Sequence, residues 1–366
     1  MTETLERPQA QKYMDINTLL KNIVAHGASD LHLVSRSEPQ IRIDGKLVPL
    51  NLPKLDGKTI EEMCYALITD KQKKYLEENK EVDFAVEIPN VGRFRGNYYY
   101  TIGTELAAAF RIIPTEIPSL DDLKAPPVFK EIIKREKGLI LVTGPTGSGK
   151  STTLSALLNE INLTEHKHII TVEDPVEFIH QNKKSLFSHR SVGEDTKSFA
   201  SALKYAMRED PDIILIGEMR DKETIEAALT AAETGHLVFG TLHTNSAVQT
   251  INRIVDTFEG SEQVQVRNML SVSLAAVISQ MLLPKKSKGR VAVQEILINN
   301  HAIANLIREN KVHQLYSQMQ LNQAQTGMQT QTQALEKLVK QNIVHKEDAL
   351  RISTQPDELK GKIGFL

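Results

Sequence analysis

The sequence contains one cysteine, Cys64, among its 366 residues. A single cysteine cannot form a disulfide bond within the chain, and it excludes a zinc site built from four cysteines of one chain. An excess of charge is also missing, because 44 lysines and arginines stand against 46 aspartates and glutamates, a net charge of −2. A nearly neutral chain offers no general attraction for nucleic acid, so we expect no direct nucleic-acid binding.

Export and membrane signals are equally scarce. Residues 1–11 carry charged side chains and lack the apolar region of a signal peptide, which predicts a cytoplasmic protein. The longest uncharged stretch, residues 268–284, is shorter than the roughly 20 apolar residues of a membrane-spanning helix and is interrupted by serines. We therefore predict a buried helix over this stretch and no transmembrane segment.

The chain is too long for one compact core of ordinary size, so we predict at least two domains. Four prolines mark the boundary, because proline fixes φ and lacks an amide donor. We place a linker over residues 114–127, after an N-terminal tail (1–14) and a small domain (15–113). A larger domain (128–299) and a helical C-terminal region (300–366) follow. The prolines are Pro114, Pro118, Pro126 and Pro127.

The small domain is predicted to be α+β. Residues Ile16 to Ala25 have the apolar spacing of a helix. The segments LHLV, QIRIDGKLVPL and GRFRGNYYY alternate apolar and polar side chains as strands do, and Asp44-Gly45 is typical of a turn between two strands.

The larger domain is predicted to be α/β. Apolar runs at residues 139–143, 168–173, 212–218 and 237–243 alternate with helical patterns. Such short runs are typical of a parallel sheet that helices cover on both faces.

The C-terminal region is predicted to be helical from residue 300 onward. Its glutamine-rich stretch, residues 318–333, indicates a solvated pair of helices with a turn near Gly327.

A phosphate-binding loop follows the first apolar run of the larger domain. The sequence GPTGSGKS lies between a predicted strand and a helix-compatible run, which is the context that such a loop requires. Its glycines let backbone amides converge on phosphate oxygens, Lys150 adds a positive charge, and the Ser151 hydroxyl is placed to ligate Mg²⁺. The predicted binding residues are Gly144, Pro145, Thr146, Gly147, Ser148, Gly149, Lys150, Ser151 and Thr152.

Hydrolysis of a nucleotide would need carboxylates at the ends of neighbouring strands. Glu218 ends the run DIILIGE and is the candidate carboxylate for holding the water shell of Mg²⁺. The run TVEDPVE, residues 171–177, ends in three acids, any of which could orient or deprotonate the attacking water. Acids at strand ends are also common as helix caps or solvated loop residues. His243 follows another apolar run, where a histidine suits a structural role or detection of a γ-phosphate.

Taken in order, these motifs resemble the secretion ATPases of the type II secretion and type IV pilus superfamily, and most closely its PilT-like pilus retraction motors. The resemblance runs from residue 28 into the C-terminal region. The matching segments are ASDLHL, IRIDGKL, GRFRGN, GPTGSGKSTT, HIITVEDPVEF, DPDIILIGEMRD, AALTAAETGHLVFGTLHTNSA, INRIVDTF and AIANLIRE.

The resemblance implies a PAS-like N-terminal domain and a RecA-like ATPase domain, assembled as a homohexamer. It implies ATP and Mg²⁺ as cofactors, with ATP bound between the two domains and completed by a neighbouring subunit. The implied function is type IV pilus retraction at the inner membrane, through a platform protein.

The resemblance also implies roles for particular residues. Glu177 would be the water-activating base, Glu218 the metal-side glutamate and His243 the histidine of the family's histidine box. Arg95 and Arg111 match arginines that approach the phosphates, with Arg93 a weaker match; a guanidinium there would neutralise transition-state charge. The alternative for each arginine is an ion pair with a nearby acid.

Two departures from the family pattern leave other functions open. Residue 304 is alanine where the retraction signature has arginine, and YYYTIGTELA lacks an arginine usual in that segment. An accessory ring that depends on an active partner ATPase is therefore an alternative. Assembly motors of pili or type II secretion are another, although these typically carry a four-cysteine zinc element. A nucleic-acid translocase is disfavoured by the balanced charge.

Overall fold

The computed structural model describes residues 15–43, 46–321 and 323–364. The chain divides into two compact units, Met1–Thr115 and Glu116–Leu366. This division falls inside the proline-rich segment, and the finer domain limits stay predictions. The predicted turn at Asp44-Gly45 lies outside the described residues. Across the described ranges, no helix has both the length and the apolar character needed to cross a membrane.

The described part of the first unit combines helices with an antiparallel sheet, which agrees with the predicted α+β character. The elements are α1 (Ile16–Ala25), β1 (Asp30–Leu33), β2 (Gln40–Ile43), β3 (Lys46–Pro49), α2 (Gly57–Tyr65), α3 (Asp70–Asn79), β4 (Glu81–Ile88), β5 (Gly92–Thr101) and β6 (Glu105–Ile113). The sheet has the strand order β3-β2-β1-β6-β5-β4. Helix α1 has the limits that the sequence predicts.

Aromatic side chains form the centre of this unit. Tyr98 on β5 is fully buried and lies edge-on to Phe84 and Phe110, at ring-centroid distances of 4.8 and 5.7 Å. Its hydroxyl donates a 2.9 Å hydrogen bond to the carbonyl of Cys64. Burial raises the pKa of the Cys64 thiol to about 12, so the lone cysteine is an unreactive core residue at neutral pH.

The second unit alternates strands and helices along the chain and ends in a run of helices. Its elements are α4 (Val128–Ile132), β7 (Gly138–Thr143), α5 (Lys150–Thr164), β8 (His168–Glu173), β9 (Leu186–Ser191), α6 (Phe199–Ala206), β10 (Ile213–Ile216), α7 (Lys222–Glu233), β11 (Leu237–Leu242), α8 (Ala247–Asp256), α9 (Glu262–Ser273), β12 (Leu274–Pro284), β13 (Arg290–Ile298), α10 (His301–Arg308), a 3₁₀ turn (Val312–Gln314), α11 (Leu315–Met319), α12 (Gln323–Thr326), α13 (Gln331–Lys340), α14 (Lys346–Ile352) and α15 (Pro356–Ile363).

The sheet of the second unit has the strand order β13-β12-β7-β11-β10-β8-β9. Neighbouring strands from β12 to β9 are parallel, whereas β13 pairs with β12 in antiparallel fashion. Residues 285–289 are too few for the crossover that a parallel pair needs. The predicted α/β class is confirmed, with one antiparallel edge strand added.

Alternate residues of the central strands enter opposite faces of this sheet. On β7, Leu139 and Leu141 pack into one hydrophobic cluster, while Ile140 and Val142 pack into another. Helices α6 to α10 contribute to the first cluster, and helices α4 and α5 contribute to the second. Both faces are therefore buried, which is why these strands read as continuous apolar runs.

The predicted buried helix over residues 268–284 is wrong. Helix α9 ends at Ser273, and the remaining residues form strand β12 between β7 and β13. Residues 274–280 are all buried. A strand buried on both faces has the same unbroken apolar run as a buried helix, so only the pairing with β7 separates the two.

The prediction that the glutamine-rich stretch is solvated is right for only part of it, since Ala324 and Gln325 are exposed. Helices and a left-handed Gly327 (φ 70°) are present as predicted. However, Thr330, Gln331 and Thr332 are buried, and Gln329 bridges to Ile296 on β13. Glutamine is tolerated here because the sheet edge and the following helix supply hydrogen-bond partners.

Candidate active site

Four loops lie at one edge of the second sheet, because β7, β11, β10 and β8 are adjacent parallel strands. The phosphate loop follows β7, and His243 follows β11. Glu218 follows β10, and Asp174 begins the acidic loop after β8. Ligands of such sheets bind at the carboxyl ends of the strands, and the predicted residues of this unit lie on loops at that edge.

The phosphate loop has a backbone that only glycine adopts readily. Gly144, Gly147 and Gly149 have φ angles of 143°, 77° and 86°. Helix α5 begins at Lys150, directly after Gly149. The amides of its first turn and the positive end of its dipole therefore lie at the loop, where an anion is stabilised.

Gln280 on β12 packs directly against this loop. A side chain at Gly144 would overlap the carbonyl oxygen of Gln280. The buried Gln280 side chain also hydrogen-bonds to the loop and to Thr153 on α5. Sequence analysis missed this residue because it lies in the uncharged stretch taken for a helix.

Lys150 joins the loop to the two candidate carboxylates. Its ammonium group donates hydrogen bonds to the carbonyls of Gly144 (2.8 Å) and Pro145 (3.1 Å). Burial lowers the pKa of Lys150, and the charges of Glu218 and Glu177 oppose that effect. The structure thus brings the lysine and both predicted glutamates into one electrostatic group.

Glu218 is also the meeting point of two basic side chains. Its Oε1 lies 3.1 Å from His243 Nε2 and accepts a hydrogen bond from Arg220 Nε. The bond to Glu218 raises the pKa of Arg220. Arg220 was not predicted; its place two residues after Glu218, in the segment GEMRD, is the signal that could have found it.

The acidic loop that carries Glu177 is held by side chains of its own strand and of β9. Glu173 Oε2 accepts a hydrogen bond from the Glu177 amide at 3.2 Å. Ser191 Oγ accepts one from the Val176 amide at 3.3 Å, and His189 Nε2 accepts one from the His180 amide at 3.1 Å. Glu177 therefore lies on a loop with several fixed points.

The residues present suit a magnesium nucleotide. Hydroxyl and carboxylate oxygens are the ligands that Mg²⁺ prefers, and Ser151 and Glu218 supply one of each. Within residues 15–43, 46–321 and 323–364, no cluster of three or more metal-binding side chains occurs, so phosphates and water would supply the other ligands. In the same ranges, the buried hydroxyl of Ser148 lacks a hydrogen-bond partner, which a bound phosphate would provide.

Arg95 and Arg111 lie in the first unit, directly opposite each other on β5 and β6. Arg111 Nε is 2.8 Å from the buried carboxylate of Asp30, and Arg95 Nε is 3.6 Å from Asp83. Each arginine thus has the ion pair expected of the alternative interpretation. The side chain of Arg111 is nevertheless 65% exposed and that of Arg95 is 39% exposed, which leaves guanidinium surface for a phosphate.

Comparison with known proteins identifies the family of this chain. The Type II/IV secretion system protein family matches residues 6–351. The type IV pilus retractation ATPase PilT of Pseudomonas aeruginosa is 50% identical over 344 residues, which are 94% of this chain and 99% of that protein. The twitching motility protein of Neisseria gonorrhoeae is 54% identical over 314 residues, 86% of this chain and 83% of that one. A crystal structure of the pilus retraction motor PilT with bound ADP superposes with a TM-score of 0.88 at 51% identity, covering 95% of this chain and 99% of that one.

Proposed function

We propose a motor function for this chain, which belongs to the Type II/IV secretion system protein family. It hydrolyses ATP with Mg²⁺ and uses the energy to retract type IV pili. The observation that carries this proposal is the grouping of Lys150 with Glu177 and Glu218 beside a glycine-rich loop. Similarity to a retractation ATPase along nearly the whole of both chains supports the pilus as the object of the work.

Each polar group at the sheet edge has a proposed task. The loop amides and Lys150 bind the phosphates and neutralise their charge. Ser151 and Glu218 would hold Mg²⁺, which supplies further positive charge against the phosphates. Glu177 orients and deprotonates the attacking water. His243 detects the γ-phosphate, and the loop residues that follow His243 change position in response.

The assembled form is proposed on the same resemblance. A RecA-like domain with a PAS-like domain before it would form a homohexamer at the cytoplasmic face of the inner membrane, against a platform protein of the pilus. Arg95 and Arg111 would add positive charge to the bound phosphates in that ring. Their position side by side on one sheet face supports a shared anion.

The purified full-length chain tests the enzymatic part. Wild type should release phosphate from ATP in the presence of Mg²⁺, whereas Glu218→Gln should lower kcat roughly 100-fold while nucleotide still binds. Glu226→Gln, at an exposed position on α7, is the matched control and should behave as wild type. Equal rates for wild type and Glu218→Gln would show that the assigned chemistry is wrong.

The cellular part is tested by deleting the gene. Cells with excess surface pili and no twitching motility fit a retraction motor, and cells without pili would show an assembly motor instead. Hydrolysis that requires a second retraction ATPase in the assay would show the accessory alternative.

A further inference from the structure

Glu295 on β13 is a buried carboxylate that two helices share. Its side chain is only 3% exposed. Oε1 accepts a 2.7 Å hydrogen bond from the amide of Ala247, and Oε2 accepts one of 3.3 Å from the amide of Gln331. Ala247 is the first residue of α8 and Gln331 is the first residue of α13. Each oxygen therefore binds an amide that the helix itself leaves unpaired.

The two amide donors partly offset the cost of burying this carboxyl group. The pKa of Glu295 is still raised, because the effect of burial outweighs that of the two amide hydrogen bonds. The positive ends of two helix dipoles act in the same direction as the amides. Removing the carboxylate would leave two buried helix starts without an acceptor, which is costly.

The two helices belong to different parts of the second unit. Helix α8 follows the four-residue loop 243–246, which we call the histidine loop and which starts with the residue that contacts Glu218. Helix α13 belongs to the C-terminal region. Glu295 is thus a direct polar connection between that region and the loop beside the candidate active site.

The rest of the histidine loop is also held in place. The hydroxyls of Thr244 and Thr250 are 2.7 Å apart, and Thr250 donates a 3.4 Å hydrogen bond to Thr143, the last residue of β7. Because β11 and α8 lie directly on either side of this short loop, a displacement of α8 at Ala247 would change the conformation of the histidine loop. His243 would move relative to Glu218.

We propose that Glu295 is a positioning residue for His243 and that it transmits displacement of the C-terminal helices to the active site. The inference rests on the proposed ATPase function. A carboxylate that only stabilised the fold would change the melting temperature and leave the turnover of folded enzyme unchanged. A positioning residue changes kcat and leaves the KM for ATP nearly constant, because the phosphate loop is held separately.

The first test is Glu295→Gln in the full-length chain. Glutamine offers an acceptor to one helix start and a donor to the other, so one connection is lost. We expect kcat to fall about tenfold with KM changed by less than about twofold, measured well below the melting temperature. Glu336→Gln is the matched control, since Glu336 lies on α13 and pairs with lysines away from the histidine loop. It should keep wild-type kcat.

A second variant removes the other partner of the same hydrogen bond. Proline is tolerated at the first position of a helix, and Ser246 before it is already extended (φ −153°, ψ 160°). Ala247→Pro should therefore lose the amide donor, lower kcat as Glu295→Gln does, and add little further loss when the two are combined. Lys346→Pro, at the first position of α14, is the control for proline itself.

The outcomes distinguish the positioning role of Glu295 from the proposed ATPase function on which it rests. A coupled loss of kcat in both variants supports the positioning role. Wild-type kcat in Glu295→Gln, or additive losses in the double variant, would overturn it. If Glu295→Gln does not fold, Ala247→Pro against Lys346→Pro decides. A wild-type chain that does not hydrolyse ATP at all would reject the proposed function rather than this connection.

Discussion

The side-chain amide of Gln280 donates a 2.7 Å hydrogen bond to the backbone carbonyl of Ser148, in the middle of the phosphate loop. The oxygen of the same side-chain amide also has hydrogen-bond partners. Gln280 Oε1 accepts hydrogen bonds from Thr153 Oγ1 (2.9 Å) and from Gln294 Nε2 (2.8 Å). A buried side chain whose amide oxygen and nitrogen both have partners stabilises one geometry, so Gln280 holds the loop in a single shape.

Gln280→Leu should therefore weaken both folding and nucleotide binding. Leucine fills a similar volume but leaves the Ser148 carbonyl, the Thr153 hydroxyl and the Gln294 amide without their partner, a loss of about 1–3 kcal/mol in the free energy of unfolding. A looser loop should raise the Kd for ATP several-fold. Denaturant unfolding and ATP titration measure the two effects.

Gln265→Leu, at an exposed position on α9, is the control for the loss of an amide. It should leave both quantities near wild type. Unchanged ATP affinity in Gln280→Leu would show that the loop keeps its shape without this contact.

His243→Ala should lower kcat about 100-fold and leave the Kd for ATP within a few-fold of wild type. The reason is that His243 lies 3.1 Å from Glu218, whereas Lys150 donates its hydrogen bonds to the phosphate-loop carbonyls of Gly144 and Pro145. Steady-state kinetics and equilibrium nucleotide binding separate the two effects. His166→Ala, at an exposed position after α5, serves as the control. Wild-type turnover in His243→Ala would leave the histidine with a purely structural role.

Stability should fall in mild acid because of His180. This residue is 6% exposed and stacks on Phe187 with ring centroids 4.4 Å apart. Burial, with the charge of His189, lowers the pKa of His180 to about 4. The unfolded chain binds the proton near pH 6.5 and the folded chain does not. The free energy of unfolding therefore decreases as pH falls from about 6.5 to about 4, by on the order of 3 kcal/mol.

His180→Phe removes this titration and keeps an aromatic ring against Phe187. Its melting temperature should decline less than that of wild type between pH 7.5 and pH 5. His166→Phe, at the exposed position used above, should retain the wild-type decline. Parallel curves for His180→Phe and wild type would show that another group causes the acid sensitivity.

Substitution of Arg95 and of Arg111, both in the first unit, should distinguish an effect on stability from an effect on catalysis. Arg111 pairs with the buried Asp30, so Arg111→Gln should cost about 1 kcal/mol of stability, limited by the exposure of the guanidinium. Arg95 pairs with the exposed Asp83, so Arg95→Gln should cost less than about 0.5 kcal/mol. Both variants should lower ATP turnover if the arginines bind phosphate in the ring. Wild-type turnover in Arg95→Gln would leave the ion pair as its role.

The phosphate loop shows how far local sequence reaches. Three glycines with positive φ, a lysine and a serine at fixed spacing predict an anion-binding turn before a helix. The α/β class followed for a similar reason, because a strand buried on both faces must be apolar throughout.

The same rule explains why some of the sequence predictions are wrong. Strand β12 has the unbroken apolar composition of a buried helix, and no local signal distinguishes the two. Gln329 looks like a surface residue until the Gln294 carbonyl of β13 supplies the partner of its side chain. Gln331 looks like one until the Thr354 amide and the Met281 sulfur supply the partners of its side chain. Ser191 and His189 on β9, which hold the acidic loop, belong to no recognisable motif, so only the structure shows their role.

The sequence by itself determined the phosphate loop, the acids and histidine that follow apolar runs, and the α/β class, since each depends on spacing within one segment. The tertiary structure alone decided which of these groups act on one another. Glu218 meets His243, and Glu295 meets both Ala247 and Gln331, because strand order brings distant segments together. Buried polar side chains are specific only once their partners are in place, and pairing across a sheet supplies those partners.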